Sequence, residues 1–416
     1  MPRRMTSQFP AIKWLLFAWA NLGRNRRRTV ATLLLTAIGV LGMMSTSGFA
    51  LYTYDSLREF SMRDQGHVIL SHPLYFVEEE EYPLEFGLAN HTDIKAQLRT
   101  DPRIRHVLAN VRFNGLITNG DKSTIFVGEG VEPEIFQVRG PSMQLSAGRQ
   151  LSLSPDPMGD YEILLGKQLA HSLRAEPGSG LTLMGTTADG LLNAIDVVVR
   201  GVVETGIPEL DSRLVMAHLE TAQDLLLTDK VGQLGVFLRD NNAADTMHLQ
   251  LTRDLPELAV TPWHERATFY QSVRNLYNRI FGVMGIILLV MVGFAIFNTA
   301  SMSVLERTRE IGTLGAMGTR RREILSIFLN EAALIGLLGS AVGLLLSGLL
   351  TGSLFVFDVQ MPPPPGQTEG YPLQVYWSPQ IAAISTGLVT ALAVCASAFA
   401  TLRSVQKPIT EALNHV

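Results

Sequence analysis

Cysteine is nearly missing from these 416 residues. Cys395 stands alone inside an apolar run, which excludes an intrachain disulfide and a cysteine metal cluster and marks it as a small core residue. Charge is scarce as well: Asp, Glu, Lys and Arg make up 17% of the chain against 47% hydrophobic residues, a balance that fits a membrane protein with a sizeable soluble part. Signatures of catalysis are missing too. A phosphate-binding loop needs G-x-x-x-x-G-K-[ST]; the one Gly-Lys pair, Gly166-Lys167, is followed by Gln168 and has Tyr161 in the first glycine position. Neither H-E-x-x-H nor G-x-S-x-G occurs, and the nine histidines form no i, i+4 pair. If nucleotide energy is used, another chain hydrolyses it. No metal, cofactor or nucleic-acid partner is expected on this one.

What the chain has instead is long apolar runs. Ile280 to Leu305 carries no charge and exceeds the ~20 residues that cross a bilayer at ~1.5 Å rise each. Thr29 to Tyr52 and Ser378 to Leu402 are similar, and Ile324 to Phe357 is interrupted only by Glu331. The predicted fold is a membrane protein with four transmembrane α-helices and a large α+β domain between the first and second. Residues 1–28 form a basic interfacial arm, with Arg3, Arg4, Lys13, Arg24, Arg26, Arg27 and Arg28 among Trp14, Phe17 and Trp19, and no acid. The spans are 29–52, 280–305, 324–357 and 378–402. The first exceeds a signal-peptide core and reads as an uncleaved anchor. Between them lie the insert 53–279, a charged connector 306–323 and a Pro-rich loop 358–377, with a tail at 403–416.

In the insert, Val111–Thr118, Ser123–Val127, Tyr161–Leu165, Leu181–Gly185, Ile195–Val203 and Leu234–Leu238 read as strands from alternation and β-branched content. Asn90–Arg99 (with an Asn cap), Gly166–Leu173, His218–Leu227 and Ala244–Leu255 read as helices. Strands mixed with helices at this spacing predict an α+β domain. Glu78–Glu81 reads as a solvated loop in preference to a calcium cage, and Pro362–Pro365 as a stiff cap over two helices in preference to a peptide-recognition site.

Orientation follows from the basic residues. The arm, connector and tail are rich in Lys and Arg, whereas the insert and Pro-rich loop together hold about 20 Lys and Arg against about 33 Asp and Glu. The positive-inside bias places both termini and the connector in the cytoplasm and the insert outside.

The connector is patterned. Leu305, Thr308, Ile311, Leu314 and Met317 recur every third residue, as do Gly312, Gly315 and Gly318. Three glycines each cost a helix about 1 kcal/mol against Ala, so they imply a turn between short helices or close approach of another backbone. A solvated hairpin and a docking surface for a cytoplasmic partner both fit. Within the third span, Glu331 reads as a structural partner of Arg320–Arg322 in preference to an ion-carrying carboxylate, because no second buried acid accompanies it. Gly336, Gly339, Ser340 and Gly343 form a small-residue face for close helix packing, within one chain or between two.

Taken together, the stretch Leu305-Glu306-Arg307-Thr308-Arg309-Glu310-Ile311-Gly312-Thr313-Leu314-Gly315-Ala316-Met317-Gly318 followed by Arg320–Ile324 closely resembles the cytoplasmic signature of the MacB/FtsX-like ABC permeases. The basic lead-in Asn21–Thr29, the segments Ile163–Pro177 and Gly201–Asp211, and the ending Lys407–Leu413 are similar to that family too, and the layout of one span, a large insert and three spans is the same. Without ATPase motifs, the chain resembles its stand-alone permeases, of the lipoprotein-releasing LolC/LolE type.

The resemblance implies a mechanism. Two permease chains pair in the bacterial inner membrane, as a homodimer or with a homologue. A cytoplasmic ABC ATPase dimer carrying ATP and Mg docks on the basic arm and on the connector, at Glu306, Arg307, Arg309, Glu310, Ile311, Gly312, Leu314, Met317, Gly318 and Arg320. Its closure moves the spans and, through a stiff His264–Arg279 lever, the outer domain, which can engage a periplasmic adaptor or outer-membrane component. The cargo expected from mostly aliphatic spans is hydrophobic or lipid-anchored: a lipoprotein, lipid, drug or peptide. Two readings from other classes stand beside it: a transducer that activates a periplasmic cell-wall hydrolase without transport, and an anchor that only displays the insert. The patterned connector argues against the anchor.

Overall fold

The computed structural model describes residues 26–77, 81–140, 143–153, 160–361 and 371–405. Residues 1–25 of the basic arm, the acids at 78–80, the prolines at 362–365 and the tail from 406 lie outside the described residues, whereas 26–28 and 403–405 continue the first and last of the long helices. The chain divides into two compact units. One comprises 1–54, 274–359 and 372–416; the other comprises 55–273 with 360–371.

Helix α1 (Arg26–Gln65) does not stop at Tyr52, where its apolar run ends. Residues 53–65 are polar but hold neither proline nor glycine, so nothing in them breaks a helix. The break comes at Gly66, whose φ of +105° is left-handed and whose N–H bonds the Met62 carbonyl at 3.0 Å.

The second unit is built on one ten-stranded mixed sheet. Its strands are β1 (Val68–Ser71), β2 (Ile104–Thr118), β3 (Ser123–Val131), β4 (Gln144–Gly148), β5 (Tyr161–Gly166), β6 (Gly180–Thr186), β7 (Leu192–Glu204), β8 (Leu214–His218), β9 (Gln233–Leu238) and β10 (Ala259–Pro262). The order is β10-β1-β9-β2-β3-β8-β5-β7-β4, and β6 pairs with both β2 and β7, closing a ring β2-β3-β8-β5-β7-β6. Two neighbours, β3/β8 and β5/β7, are parallel and the remaining pairs antiparallel. The short helices are α2 (His91–Leu98), α3 (Ile135–Arg139), α4 (Lys167–Leu173), α5 (Pro208–Asp211), α6 (Leu219–Leu226), α7 (Ala244–Asp254) and α8 (Trp263–Arg266). Asn90 stands at the α2 N-cap but makes no side-chain cap bond.

Alternation along β2 supplies two apolar cores. Val107, Ala109 and Val111 join Leu70, Phe126, Leu169, Ala222 and Leu225 in the larger one; Leu108 joins Val131, Ile135, Phe136, Leu164 and Met216 in the other.

Among the described residues four helices are long and apolar enough to cross a membrane, and their apolar runs lie in the other unit; α1 is the first of them. After it come α9 (Thr268–Glu306), α10 (Thr308–Ala316), α11 (Arg321–Phe357), the strand pair β11 (Gln360–Met361) and β12 (Tyr371–Pro372), and α12 (Pro379–Val405). The expected lever from His264 is shorter than its sequence suggests: Ala267, at φ −79° and ψ 66°, ends α8, and the continuous helix begins at Thr268. Cys395 is exposed on α12, contrary to its expected burial, because the helical repeat turns Ala393, Ala396 and Ala400 inward instead. Phe281 on α9 packs edge-on against Phe49 and Tyr54 of α1, and the Tyr54 hydroxyl donates to Asn278 Oδ1 at 2.5 Å. Tyr52 meets Tyr376 at 5.4 Å, so aromatics gather where the apolar runs end, as they do at a membrane interface.

Candidate coupling site

Between the second and third spans the chain folds into helix, break, short helix and turn. Arg307 is the break. Its N–H bonds the Val304 carbonyl at 3.2 Å, and Thr308 Oγ1 donates back to the Leu305 carbonyl at 2.8 Å, so α10 starts in a new direction. Gly318, at φ +86°, turns the chain after α10. Arg320 then caps α11, and its N–H is accepted by Glu323 Oε2 at 3.1 Å. Of the three connector glycines, only Gly318 makes a turn; Gly312 and Gly315 lie inside α10.

This geometry sorts the predicted docking residues. Ile311 and Gly312 are buried, and Ile311 packs with Val304, Ile324, Phe328 and Ala400. Glu306, Arg309, Glu310, Met317, Gly318 and Arg320 are exposed. Leu314 lies within α10. The three-residue stripe therefore does not form one buried face. Leu305 belongs to α9 and is exposed, Met317 lies past the end of α10 and is 69% exposed, and Thr308 and Ile311 turn inward.

Arg307 is buried too. Its Nη1 donates to Glu331 Oε2 at 2.8 Å, with the two side chains 8% and 7% exposed. The partner expected for Glu331 was Arg320–Arg322; those residues open α11 itself, and the break at Arg307 is what brings an arginine to Glu331. Beside Glu331 lies a cavity of about 50 Å³ whose wall sets the hydroxyls of Thr29, Thr32, Thr36, Thr299, Ser303 and Ser397 among apolar side chains that include Ile296, Phe328 and Ile335.

The small-residue face packs within this chain. A Cβ on Gly339 would fall 2.6 Å from Thr36 Cβ, one on Gly343 2.6 Å from the Ala37 carbonyl oxygen, and one on Gly336 2.9 Å from Thr390 Cα. Ser340 between them is fully buried. These glycines let α11 approach α1 and α12 at backbone distance.

The domain unit holds a second charged centre, which the sequence reading missed. At the end of α1, Arg139 of α3 donates Nε and Nη2 to the Asp64 carbonyl at 3.1 and 2.6 Å, and Nη1 to Glu129 Oε2 at 2.6 Å. Burial alone would raise the Glu129 carboxyl, but Arg139 beside it and Arg112 outweigh that and hold it below the usual range. An isolated arginine in an irregular stretch gives no signal of such a role.

Residues 282–409 match the family described as FtsX-like permease C-terminal, and residues 29–253 match the MacB-like periplasmic core domain. The lipoprotein-releasing system transmembrane protein LolC of Xylella fastidiosa is 27% identical over 266 residues, 61% of this chain and 62% of that protein. The macrolide export ATP-binding/permease protein MacB of Nitrobacter winogradskyi is 29% identical over 243 residues, covering 52% and 36%. The pyoverdine export ATP-binding/permease protein PvdT of Pseudomonas entomophila is 22% identical over 360 residues, covering 84% and 53%. The aligned region thus spans less than two thirds of each of these relatives.

Proposed function

The chain belongs to the MacB/FtsX-like family of ABC transporter permeases, and from that premise we propose that it is the inner-membrane permease subunit of an export system driven by a separate ATPase. The ATPase, with its ATP and Mg, sits on the cytoplasmic side and docks on α10. Both termini are cytoplasmic, and the mixed-sheet domain is periplasmic. A second permease chain covers α9, whose apolar window is only 6% buried within this chain.

The observation that carries this reading is the two-sided character of α10. One side is tied into the bundle through Ile311 and the adjoining Arg307; the other presents Arg309, Glu310 and the following Met317. A helix held this way passes a push from a partner to α9 and α11 rather than absorbing it. The work comes from the different affinities of the ATPase for two permease conformations. Helices α1 and α9 each contribute residues to both units, which gives the push two covalent routes to the domain. The cargo is hydrophobic or lipid-anchored, drawn from the periplasmic side, because the spans offer few polar groups to line a hydrated route.

Photo-crosslinking from Met317 and Glu310 in native membranes tests the docking. Capture of an ABC ATPase from both positions is the expected result; crosslinks confined to lipid or to this chain would overturn it.

A further inference from the structure

Arg307 and Glu331 are an expensive way to hold two helices together. Both are nearly excluded from solvent, the guanidinium lies 6.0 Å from the Phe328 ring centre, and Val304 and Ile311 on either side of Arg307 pack with Phe328 in a buried apolar cluster. Well-packed apolar side chains would fill such a space without the desolvation cost of two charges. What apolar packing would not supply is direction: a 2.8 Å charge-assisted bond fixes where Arg307, and with it the first turn of α10, stands on α11.

The neighbouring cavity adds a second property. Three of its hydroxyls already donate to the backbone: Thr36 to the Thr32 carbonyl at 2.8 Å, Thr299 to Ala295 at 2.9 Å and Ser397 to Phe328 at 3.2 Å. Their lone pairs remain for a donor. A volume of about 50 Å³ exceeds the ~10–15 Å³ that one water needs, and the hydroxyls set in its otherwise apolar wall supply hydrogen-bond partners for it. Glu331 lines the same space. A carboxylate leaving its arginine there would meet water instead of hydrocarbon.

We propose that Arg307 and Glu331 are a positioning pair that sets one register of α10 on α11 and separates when α10 is driven, with the hydroxyl-lined cavity hydrating Glu331 in the open state. This rests on the reading of α10 as the docking helix, but the pair's effect on register is measurable in the chain alone.

Spin labels at Thr313→Cys and Leu337→Cys, both exposed positions, report the distance between α10 and α11 in a Cys395→Ser background. The full chain in lipid nanodiscs, without ATPase or nucleotide, should give one narrow distance. The double variant Arg307→Met/Glu331→Met leaves no buried charge unpaired, so it should insert and remain monodisperse while losing that single distance. Glu331→Gln, close in size and still able to accept a hydrogen bond, should broaden the distribution less than the double variant and serves if the latter does not fold. A narrow, unshifted distance in either variant overturns the proposal. If the variants broaden but no ATPase is captured from Met317, the docking reading falls and the positioning pair stands.

Discussion

Arg139 closes the end of α1 by donating two bonds, at 3.1 and 2.6 Å, to the carbonyl of Asp64. Asp64 is next to the last residue of the helix, where carbonyls lack intrahelical partners and the helix dipole is negative. The remaining nitrogen of Arg139 meets Glu129 on β3. One guanidinium therefore ties the helix that carries the first span to the strand at the centre of the sheet.

Replacing Arg139 with Met strands the Glu129 carboxylate, and breaking a buried pair in this way costs ~3–5 kcal/mol. Hydrogen exchange on the full chain should show residues 62–66 losing protection by two decades or more, at about 1.4 kcal/mol per decade, with α11 and α12 unchanged. Unchanged protection at 62–66 would show that the helix end is held by other contacts.

His67 predicts a pH effect. Its Nδ1 accepts the Leu238 N–H at 3.3 Å and its Nε2 faces Asn241 Oδ1 at 2.9 Å, an arrangement that suits the neutral ring with its proton on Nε2. Burial pushes its pKa below 6.5; the bond to Asn241 and nearby Asp240 oppose this, and Arg58 adds to it. A histidine depressed in the folded state contributes stability above its unfolded pKa, and that contribution is lost as pH falls below about 6.5. His106 and His218 are depressed by burial as well, so the test is a difference. Stability to unfolding, followed from pH 7.5 to 5, should fall more steeply for the unsubstituted protein than for His67→Gln. Parallel curves would contradict the assignment.

Two glycine pairs on α11 should behave differently. Gly339 and Gly343 face Thr36 and Ala37, whereas Gly348 and Gly352 face open space in this chain. Gly343→Leu should prevent α1 from packing and abolish accumulation of folded protein in the membrane. Gly348→Leu should leave the monomer's melting temperature within a degree or two. Equal tolerance of both would mean that α1 and α11 do not pack as described.

Orientation can be read by labelling. In a Cys395→Ser background, Asp121→Cys, on the exposed β2–β3 turn, should react with impermeant maleimide once the outer membrane is opened, and Met317→Cys only after the cells are broken. The reverse pattern would invert the proposed topology.

Parts of this molecule are legible in the sequence and parts are not, for physical reasons. The ring strands β3, β5, β6 and β7 show in β-branched content and alternation. By contrast β1 and β8 are short, at four and five residues, as well as buried at every position, so they show no two-residue period; β9, buried throughout as well, is legible only by its apolar content, and the all-exposed β4 offers no apolar face. Apolar runs locate the spans but not where the helices end, because Gly66 and Ala267 set those boundaries. Around α10 the repeats of the connector reveal a structured element. The burial of Arg307 stays hidden, since an arginine among charged neighbours reads as surface and its partner lies 24 residues away. The glycine face was recognisable as a packing surface, but not its partner, because Thr36 and Gly339 are joined only by the fold.

The central claim is that a push on α10 reaches the domain. Hydrogen exchange on the full chain in nanodiscs, with the captured ATPase and with or without ATP, measures it most directly. The account predicts that ATP changes the exchange of residues 308–317 and of residues 60–66 beside Arg139 together. A response at 308–317 with none at 60–66, under turnover, would contradict it.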